Sequence, residues 1–288
     1  MFETITVLGP GLLGASLLQA ALDNGLCQRT VAWSRRPETR VKCERQPWCH
    51  AVAATAADAV SSADLVVVCT PVATIAPLIE SIRAALRPNT LVTDVGSTKS
   101  LICRQVHSAV PEQVHFVGSH PMAGSEKTGM EHARADLFYR RACFVTPLVD
   151  TDAQACEKIV RFWDAIGMQV VTVNPEKHDE IVANISHLPH ILASVLCSYL
   201  SRQDPAWLNY AGGGLKDTTR IASGDPHLWK SIIEQNRDEI LRSLGGLQTE
   251  IDAMRAAIHN QQYFEVLNLL QHGKSYRDGF AEGKDGHG

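Results

Sequence analysis

The feature that most constrains the fold is a glycine pattern near the start of the chain. Gly9, Gly11 and Gly14 fit G-x-G-x-x-G, between a β-branched run at 4–8 and a helical stretch at 12–24. In that context the first glycine allows a tight turn, the second lets the backbone approach a pyrophosphate, and the third lets the helix pack on the strand. The free N–H groups of the helix start then bind phosphates. The predicted dinucleotide site comprises Gly9, Gly11, Leu12, Leu13 and Gly14.

Strand-like and helix-like segments alternate through the first 170 residues. The run 65–69 is continuously apolar and of strand length, which is typical of a parallel strand buried on both faces. Further short strands are predicted at 30–33, 91–94, 114–117 and 143–146, with helical stretches between several of them. This alternation predicts βαβ units and an α/β fold with a Rossmann-type, doubly wound, mostly parallel sheet.

The pattern changes near residue 172, after which the sequence becomes helical. Long helical stretches are predicted at 176–200, 227–244 and 247–270. The last two are amphipathic, and a domain of this size does not cover both apolar stripes, so we expect the helices of two subunits to interlock in a homodimer. The predicted domains are a dinucleotide-binding domain at 1–172, an all-helical substrate and dimerisation domain at 173–280, and a flexible tail at 281–288.

Composition argues against several classes of protein. Of the 288 residues, 45% are hydrophobic and 20% are charged, which is normal for a folded globular chain. The net charge of −4 argues against a protein that mainly binds nucleic acid or an anionic membrane. No apolar run reaches about 18 residues, and the first residues do not resemble a signal peptide. The eight cysteines include no C-x-x-C spacing, which indicates reduced thiols and a cytoplasmic location.

The end of the second predicted strand indicates which dinucleotide binds. Enzymes that use NAD usually carry Asp or Glu there, which accepts a hydrogen bond from the ribose 2′-hydroxyl. This chain has Ser34, Arg35 and Arg36 instead, a hydroxyl and two guanidinium groups that suit a 2′-phosphate. We therefore expect NADP with NAD as the alternative, although both arginines are also explained as solvated loop charges. The further residues assigned to the cofactor are Thr70, Pro71 and Asp94, which follow neighbouring strands.

Two sets of histidines are candidates for chemistry. His120 lies in a Gly-Ser-His-Pro segment just after a predicted strand, where an imidazole is well placed for acid–base work. The alternative for His120 is a purely structural side chain. His187 and His190 have the i,i+3 spacing of a metal pair, but Pro189 lies between them and no third ligand stands at a suitable spacing. We therefore expect no metal site.

Five segments taken together resemble one family. They are GPGLLGAS at 9–16, DVGSTKS at 94–100, GSHPMAGSEKTG at 118–129, HDEIVANISHLPH at 178–190 and KDTTRIASGDP at 216–226. In this order, behind a dinucleotide pattern, they are similar to the prephenate and arogenate dehydrogenases of tyrosine biosynthesis. The resemblance implies oxidative decarboxylation of a cyclohexadienol, in which the ring hydroxyl loses its proton, hydride leaves C4 for the nicotinamide, and the C1 carboxylate departs as CO2.

The same resemblance implies a role for each matching residue. His120 accepts the hydroxyl proton, while Ser97 hydrogen-bonds His120 and the substrate hydroxyl and fixes the tautomer of the imidazole. Arg220 receives a substrate carboxylate, with Asp217 as its neighbour in an ionic gate; the plain alternative is an i,i+3 surface ion pair. The remaining substrate-binding residues implied are Ser186 and His190, at the side-chain end of the substrate, and His178.

Several alternatives stay open on the residues alone. Prephenate and arogenate differ in a pyruvyl or an alanyl side chain, and nothing in the sequence excludes either. A reductase of the β-hydroxyacid dehydrogenase type also joins a Rossmann half to a helical half, but it relies on a catalytic Lys in the helical half. A non-catalytic NADPH-binding sensor would bind nucleotide without turnover, which the joint presence of His120, Ser97 and Arg220 disfavours.

Overall fold

A parallel sheet forms the centre of the N-terminal half. The computed structural model describes residues 1–124 and 129–285, and within these ranges the sheet has six strands in the order β3-β2-β1-β4-β5-β6. This is the strand order of a Rossmann fold, with its switch point between β1 and β4. The strands are β1 (Phe2–Leu8), β2 (Cys27–Trp33), β3 (Ala51–Val52), β4 (Leu65–Val68), β5 (Leu91–Asp94) and β6 (His115–Phe116).

Helices follow the strands in the βαβ manner that the sequence predicts. In this half they are α1 (Leu12–Asp23), α2 (Pro37–Glu44), α3 (Ala56–Val60), α4 (Val72–Ile82), α5 (Ser100–Ala109) and, further along, α6 (Ala153–Ala165). A 3-10 turn, Arg83–Ala85, extends α4 before Pro88. The parallel sheet and its helices confirm the predicted α/β fold.

The central strand β4 shows why the sheet is covered on both faces. Leu65 and Val67 belong to one apolar core cluster, and Val66 and Val68 to another. All four side chains are fully buried, since successive residues of a strand point to opposite faces. Burying each such side chain stabilises the fold by about 1.5–3 kcal/mol. A continuous apolar run is therefore the sequence signature of a strand between two helical layers.

A second, smaller sheet departs from the simple alternation. Its strands are β7 (Gly118–Pro121), β8 (Ala142–Thr146) and β9 (Gln169–Thr172), of which β7 and β8 are antiparallel. The chain passes from β6 to β7 through Val117, whose N–H still donates to the carbonyl of Val92 on β5 at 3.0 Å. The strand predicted at 114–117 is thus a short edge strand, and the following residues carry His120 into another sheet.

All elements after β9 in the described part of the chain are helical, as predicted. They are α7 (Pro175–Val182), a π-helical turn (Ala183–His187), α8 (Leu188–Leu200), a 3-10 turn (Pro205–Tyr210), α9 (Gly213–Thr219), a 3-10 turn (Arg220–Ser223), α10 (Pro226–Gln235), α11 (Arg237–His259) and α12 (Tyr263–Asp285). The chain divides into two compact units, one ending at Arg237 and the other beginning at Asp238.

The last helices begin and end at other residues than the sequence predicts. The predicted helix 227–244 is interrupted at Asn236, whose side chain makes tertiary hydrogen bonds. The Gly245–Gly246 pair lies inside α11 rather than between helices, and the next break comes at Gln261, which has φ +55°. Helix α12 continues through 281–285, five residues into the predicted tail, and 286–288 lie outside the described residues.

Candidate active site

The glycine-rich turn lies at the carboxyl end of β1. Gly9 has φ +96°, and a β-carbon there would lie 2.8 Å from the carbonyl oxygen of Cys69. A β-carbon on Gly14 would lie 2.6 Å from the carbonyl oxygen of Gly9. Gly11 differs, because a β-carbon there would meet no atom of the described residues within 4 Å. Two glycines therefore serve the close packing of α1, and Gly11 leaves room for a ligand.

A cleft of about 630 Å³ opens beside this turn. The predicted cofactor residues that line it are Gly9, Gly11, Ser34, Arg35, Arg36, Thr70 and Pro71. Leu12 and Leu13 are not in its lining, since both pack against the apolar core. Thr39, Lys42 and Glu131 also line the cleft and were not anticipated from the sequence. The cleft brings the glycine-rich turn and the end of β2 to one surface.

Two buried polar atoms on the cleft have no hydrogen-bonding partner among the described residues. They are the indole Nε1 of Trp33 and the hydroxyl oxygen of Thr70. A buried polar group without a partner costs about 1–3 kcal/mol, so a ligand that supplied the missing bonds would be stabilised here. Together with open Gly11 and the N–H groups at the start of α1, these atoms fit a bound dinucleotide.

The end of β2 is held as a tight turn. The hydroxyl oxygen of Ser34 accepts a hydrogen bond from the N–H of Arg36 at 3.3 Å. The guanidinium of Arg40 donates to the carbonyl oxygens of Ser34 at 2.8 Å and Arg35 at 3.4 Å. Arg35, Arg36 and Lys42 form no ion pair with any residue that the structure describes. Three cations without carboxylate partners therefore lie along one cleft.

Asp94 does not line the cleft, so its assignment to the cofactor is corrected. Its side chain is fully buried, and its carboxylate forms an ion pair with the equally buried ammonium of Lys99. The carboxylate also accepts hydrogen bonds from the N–H groups of Gly96 at 2.8 Å and Ser119 at 3.2 Å. A buried ion pair needs such additional bonds to offset desolvation. Asp94 therefore joins β5 to the strand that carries His120.

The imidazole of His120 begins a chain of hydrogen bonds between β7 and α7. Its Nδ1 lies 2.9 Å from Nε2 of His178, whose Nδ1 lies 2.8 Å from a carboxylate oxygen of Asp179. His120, His178 and Asp179 are 8%, 0% and 2% exposed. A buried carboxylate is thus connected through one imidazole to a second, and we call these three side chains the relay.

The carboxylate of Asp179 is held at the start of α5. One oxygen accepts a hydrogen bond from the N–H of Lys99 at 2.8 Å, and the other from the N–H of Ser100 at 2.9 Å. The first N–H groups of a helix have no partner within the helix and carry partial positive charge. Burial by itself would raise the pKa of Asp179, but hydrogen bonds from His178, Ser100 and Lys99 outweigh it and lower that pKa. Asp179 is therefore an anion near neutral pH.

The histidines of the site are neutral near neutral pH. Burial lowers the pKa of His120 well below 6.5, and nearby basic side chains lower it further. Burial also lowers the pKa of His178, although the carboxylate of Asp179 opposes that shift. Burial lowers the pKa of His187 to about 4 and lowers that of His190. A neutral imidazole keeps a lone pair, so His120 is able to accept a proton.

The relay changes two assignments made from the sequence. The sequence assigns His178 to the substrate pocket, but both ring nitrogens of His178 are hydrogen-bonded within the protein. The sequence also expects Ser97 to bind and orient His120. No hydrogen bond joins these two in the described part of the chain, and Nδ1 of His120 is taken by His178. Ser97 lies half-buried in the loop after β5, and the side chain hydrogen-bonded to His120 in this structure is His178.

His187 is buried behind the relay and is held by Asn236. The amide nitrogen of Asn236 donates to Nδ1 of His187 at 3.2 Å and to the backbone carbonyl of Asp179 at 2.9 Å. Because Nδ1 accepts, the hydrogen of the neutral ring lies on Nε2. The residues that the structure describes contain no group of three potential metal ligands.

His190 and Ser186 lie on the same helical stretch as His178 and Asp179. The ring of His190 stacks on Trp229 of α10, with centroids 3.5 Å apart and planes 9° apart. A β-carbon on Gly224 would lie 2.6 Å from Nε1 of Trp229 and 3.0 Å from Cε1 of His190. Ser186 is half-buried in the π-helical turn. The stack therefore holds the turn Arg220–Ser223, which precedes Gly224, against α8.

Arg220 and Asp217 are exposed and are not joined to one another. Asp217 lies on α9 and Arg220 begins the following 3-10 turn. No ion pair links them in the structure as described, so the expected ionic gate is not formed here. An exposed i,i+3 pair is worth only about 0.2–0.5 kcal/mol, which does not order two solvated side chains. The guanidinium of Arg220 is therefore exposed, with no ion-pair partner among the described residues.

In and around the relay, four residues were given no catalytic or substrate-binding role from the sequence. Asp179 directly follows His178, and this His-Asp pair was the available signal. His187 had been weighed only as a metal ligand. Trp229 and Asn236 lie more than forty residues beyond His187, and only tertiary contacts with His190 and Asp179 reveal them.

One helical stretch is long and apolar enough to cross a membrane by length and composition, namely Pro175–Leu200. A core helix of a soluble protein meets the same criterion. The stretch carries His178, Asp179, His187 and His190, all of which are buried in the site.

Comparison with known proteins gives a family match along most of the chain. The family model of the prephenate dehydrogenase nucleotide-binding domain matches residues 23–172, and that of the prephenate dehydrogenase dimerization domain matches residues 174–272. The prephenate dehydrogenase of Bacillus subtilis is 32% identical over 283 residues, which are 97% of this chain and 76% of that protein. The cyclohexadienyl dehydrogenase of Zymomonas mobilis is 30% identical over 265 residues, 91% of this chain and 90% of that protein.

A solved structure is similar over its whole length. The crystal structure of prephenate dehydrogenase from Aquifex aeolicus, in complex with hydroxyphenyl propionate and NAD+, has a TM-score of 0.91 at 26% identity. The match covers 97% of this chain and 99% of that one. These likenesses confirm the family to which the sequence segments pointed. The chain therefore belongs to the prephenate dehydrogenase family and is an NAD(P)-dependent dehydrogenase that carries out oxidative decarboxylation in tyrosine biosynthesis.

Proposed function

We propose that the substrate is prephenate, arogenate or both, that His120 is the base, and that NADP+ is preferred over NAD+. The observation that carries the chemistry is the buried relay that ends on His120. It supplies a neutral imidazole within the nucleotide-binding half of the chain, and removal of a hydroxyl proton during hydride transfer requires such a base.

The preference for NADP+ is supported by the charge at the cleft. Arg35, Arg36 and Lys42 bring three cations without carboxylate partners among the described residues. The hydroxyl oxygen of Ser34 accepts the N–H of Arg36, which leaves its own hydrogen to donate to a phosphate oxygen. A phosphate carries about 1.5–2 negative charges at pH 7 and accepts only, so this set suits it. Glu131 supplies a carboxylate to the same lining and keeps NAD+ as the alternative.

The chemistry follows from one base and one driving force. When bound, the oxidised nicotinamide supplies the hydride acceptor. His120 hydrogen-bonds the hydroxyl on C4 and takes its proton as the C4–H bond breaks, and Ser97 is proposed as a second partner of that hydroxyl. Departure of the C1 carboxylate as CO2 makes the ring aromatic, which drives the reaction. Proton transfer to a positioned base is worth about 10²–10⁴ in rate.

Substrate binding is proposed for four residues of the helical half. Arg220 pairs with a substrate carboxylate, for which a guanidinium fork is better suited than an ammonium. His190 and Ser186 contact the side-chain end of the substrate, and the stack on Trp229 fixes the plane of the His190 ring. Asp217, close to Arg220 in sequence, completes the proposed set. A carboxylate at this position would favour the ammonium group of the alanyl side chain, and hence arogenate.

We propose that residues 173–280 form the substrate and dimerisation domain of a homodimer. The matching family model is named a dimerization domain, and many apolar side chains of this region are exposed. The larger of these on α8, α11 and α12 are Leu192, Val195, Tyr199, Leu241, Ile251, Ile258, Tyr263, Phe264, Leu267, Leu270 and Tyr276. Patches of this kind usually mark interfaces between subunits. A sedimentation mass near 31.5 kDa at micromolar concentration would remove the dimer.

A cytoplasmic location is proposed from the thiols. All eight cysteines are free, and burial raises the pKa of the Cys43 and Cys103 thiols to about 12. Thiols of that kind are unreactive and are expected of a chain that works in a reducing compartment. Secretion of active protein with mixed disulfides would contradict this location.

The test of the proposed function is an initial-rate assay with four combinations. Prephenate or arogenate is offered with NAD+ or NADP+, and the reduced nicotinamide is followed by its absorbance. The fastest combination identifies both the side chain and the cofactor. Faster turnover with NAD+ would overturn the cofactor assignment. Silence in all four from a folded protein that binds NADPH would overturn the proposed function and favour a nucleotide-binding sensor.

A further inference from the structure

Asp179 is a buried carboxylate to which the sequence assigned no role. Three hydrogen bonds converge on it, from the ring of His178 at 2.8 Å and from the N–H groups of Lys99 at 2.8 Å and Ser100 at 2.9 Å. The two N–H groups belong to the start of α5, whose partial positive charge favours an anion. Asn236 fixes the backbone carbonyl of the same residue at 2.9 Å. These hydrogen bonds fix both the position and the orientation of the Asp179 carboxylate.

The direction of the hydrogen bonds in the relay follows from the carboxylate. An ionised carboxylate only accepts, so Nδ1 of His178 must carry the hydrogen that binds Asp179. A neutral imidazole has one N–H, and therefore Nε2 of His178 is an acceptor. The 2.9 Å contact with His120 then requires the hydrogen on Nδ1 of His120. The lone pair of His120 is left on Nε2.

We infer that Asp179 and His178 are positioning residues that fix the tautomer of His120, so that Nε2 is the atom that receives the substrate proton. This inference rests on the proposed role of His120 as the base. Neither positioning residue touches the substrate hydroxyl, and each acts through the next ring. The opposite tautomer would present an N–H to the substrate hydroxyl and would have no lone pair with which to take its proton.

The proton balance is complete within the relay. The O–H bond of the substrate breaks, an N–H bond forms at Nε2 of His120, and the ring becomes an imidazolium with hydrogens on both nitrogens. The C–H electron pair leaves as hydride to the oxidised nicotinamide of the proposed function. The positive charge on His120 is then offset by the carboxylate of Asp179 across His178. When the bond to the C1 carboxylate breaks and CO2 leaves, its electron pair passes through the ring to the C4 oxygen. That oxygen takes the proton back from Nε2 of His120, so the product leaves as a phenol and the imidazole is neutral again.

The first measurement needs no variant of the relay. Long-range proton–nitrogen correlation NMR on protein labelled with ¹⁵N-histidine reports which ring nitrogen carries the hydrogen, and loss of one signal in His120→Gln assigns His120. The expected result is a protonated Nδ1 and an unprotonated Nε2 at pH 7.5. A protonated Nε2 on His120 would overturn the inference outright.

The second measurement uses Asp179→Asn. An amide places a donor against His178 or against one of the N–H groups of α5, so the tautomers of both rings are no longer enforced. We expect His120 to gain hydrogen on Nε2 and kcat to fall about 10²-fold or more, with NADPH affinity and substrate KM changed less than threefold. The matched control is Asp152→Asn, which removes an exposed carboxylate that caps α6 by accepting the N–H of Ala155 at 2.8 Å. It should change neither spectrum nor kcat.

The outcomes separate this inference from the proposed function. Full turnover in His120→Gln would remove His120 as the base, whatever the tautomer. An inactive His120→Gln together with an unchanged His120 tautomer and kcat in Asp179→Asn would overturn the positioning role alone. If Asp179→Asn fails to fold, two measurements still test the positioning role: the tautomer of His120 in the unaltered protein and the kcat of His178→Gln. The second variant keeps the carboxylate but removes the ring between it and His120, so its kcat should fall as well.

Discussion

The side-chain amide of Asn236 lies 3.2 Å from Nδ1 of His187 and holds a ring that is only 1% exposed. The amide donates, so the imidazole is kept in its neutral form with the hydrogen on Nε2. Burial lowers the pKa of this ring to about 4. The native protein therefore leaves unprotonated a group that takes up a proton at pH 5 once the chain unfolds.

The free energy of unfolding is expected to decrease as the pH is lowered from about 6.5 to about 4. There the unfolded chain binds a proton at position 187 that the native state does not, so the free energy of unfolding decreases by up to about 1.4 kcal/mol per pH unit for this group. Above pH 6.5 the contribution is constant. Urea unfolding at pH 7.5, 6, 5 and 4.5 measures the slope. The free energy of unfolding of His187→Gln should depend less steeply on pH than that of the unaltered protein. Identical slopes would contradict the lowered pKa of His187.

The rate should stay high well into mildly acidic solution. His120 must be neutral to accept a proton, and its pKa is lowered below 6.5, mainly by burial, so kcat/KM should begin to fall only below that pH. His120→Asn should lower kcat by about 10²–10⁴ near neutral pH, where the imidazole of the unaltered protein is unprotonated, while NADP(H) binding survives. Initial rates from pH 4.5 to 9 provide the test. A midpoint above pH 7 would show that another group limits the reaction.

Discrimination between the two cofactors should depend on the cations of the cleft. Arg35→Ala with Arg36→Ala is expected to weaken NADP+ by about tenfold or more per lost charge-assisted bond, with a much smaller effect on NAD+. Lys42→Ala should act in the same direction. Lys158→Ala removes the same charge at an exposed position of α6, outside the cleft lining, and is the control. Binding titrations with both cofactors provide the comparison, and equal losses for the two would refute a 2′-phosphate site.

Two glycines of the same motif should respond in different ways. Gly14→Ala places a β-carbon 2.6 Å from the carbonyl of Gly9 and should destabilise the fold by about 1–3 kcal/mol. Gly11→Ala meets no described atom, so stability should be nearly unchanged while affinity for the dinucleotide falls. Thermal unfolding and cofactor titration of both variants separate packing from binding. The reverse pattern would show that the turn is held in another way.

Arg220 should matter for substrate and not for the fold. Its side chain is exposed and makes no ion pair among the described residues, so Arg220→Gln is expected to leave the melting temperature unchanged. Loss of a carboxylate partner should raise KM about tenfold or more, with a smaller change in kcat. Arg202→Gln, on another exposed arginine of the helical half, is the control. An unaltered KM would return Arg220 to a surface role.

The Rossmann half was predictable because its signals are local. Gly9, Gly11 and Gly14 specify a turn by spacing, and the run Leu65–Val68 specifies a strand buried on both faces. Leu12 and Leu13 show the limit of such reasoning, since a motif assigns backbone positions while their side chains turn into the core. The passage from β6 to β7 was missed because sheet membership depends on pairing with distant strands.

The internal hydrogen bonds of the site were not predictable in the same way. Asp94 lies where a cofactor ligand is expected, yet a buried ammonium five residues later draws it into the protein. His178 was placed in the right region with the wrong partner, because its neighbours on β7 and α5 are distant in sequence. Charge and burial decide these cases, and both are properties of the folded chain.

Because of the π-helical turn Ala183–His187, the arrangement of the site depends on the number of residues between α7 and α8 as well as on their identity. A π turn accommodates one residue more than an α turn within a continuous helix. Deleting a residue there would let the segment become α-helical, and it would rotate α8 relative to α7 by about 100°. His190 would then turn away from the side that His178 and Asp179 face. A related sequence that aligns with a one-residue gap at 183–186 is therefore expected to have lost this arrangement, even if every histidine is retained.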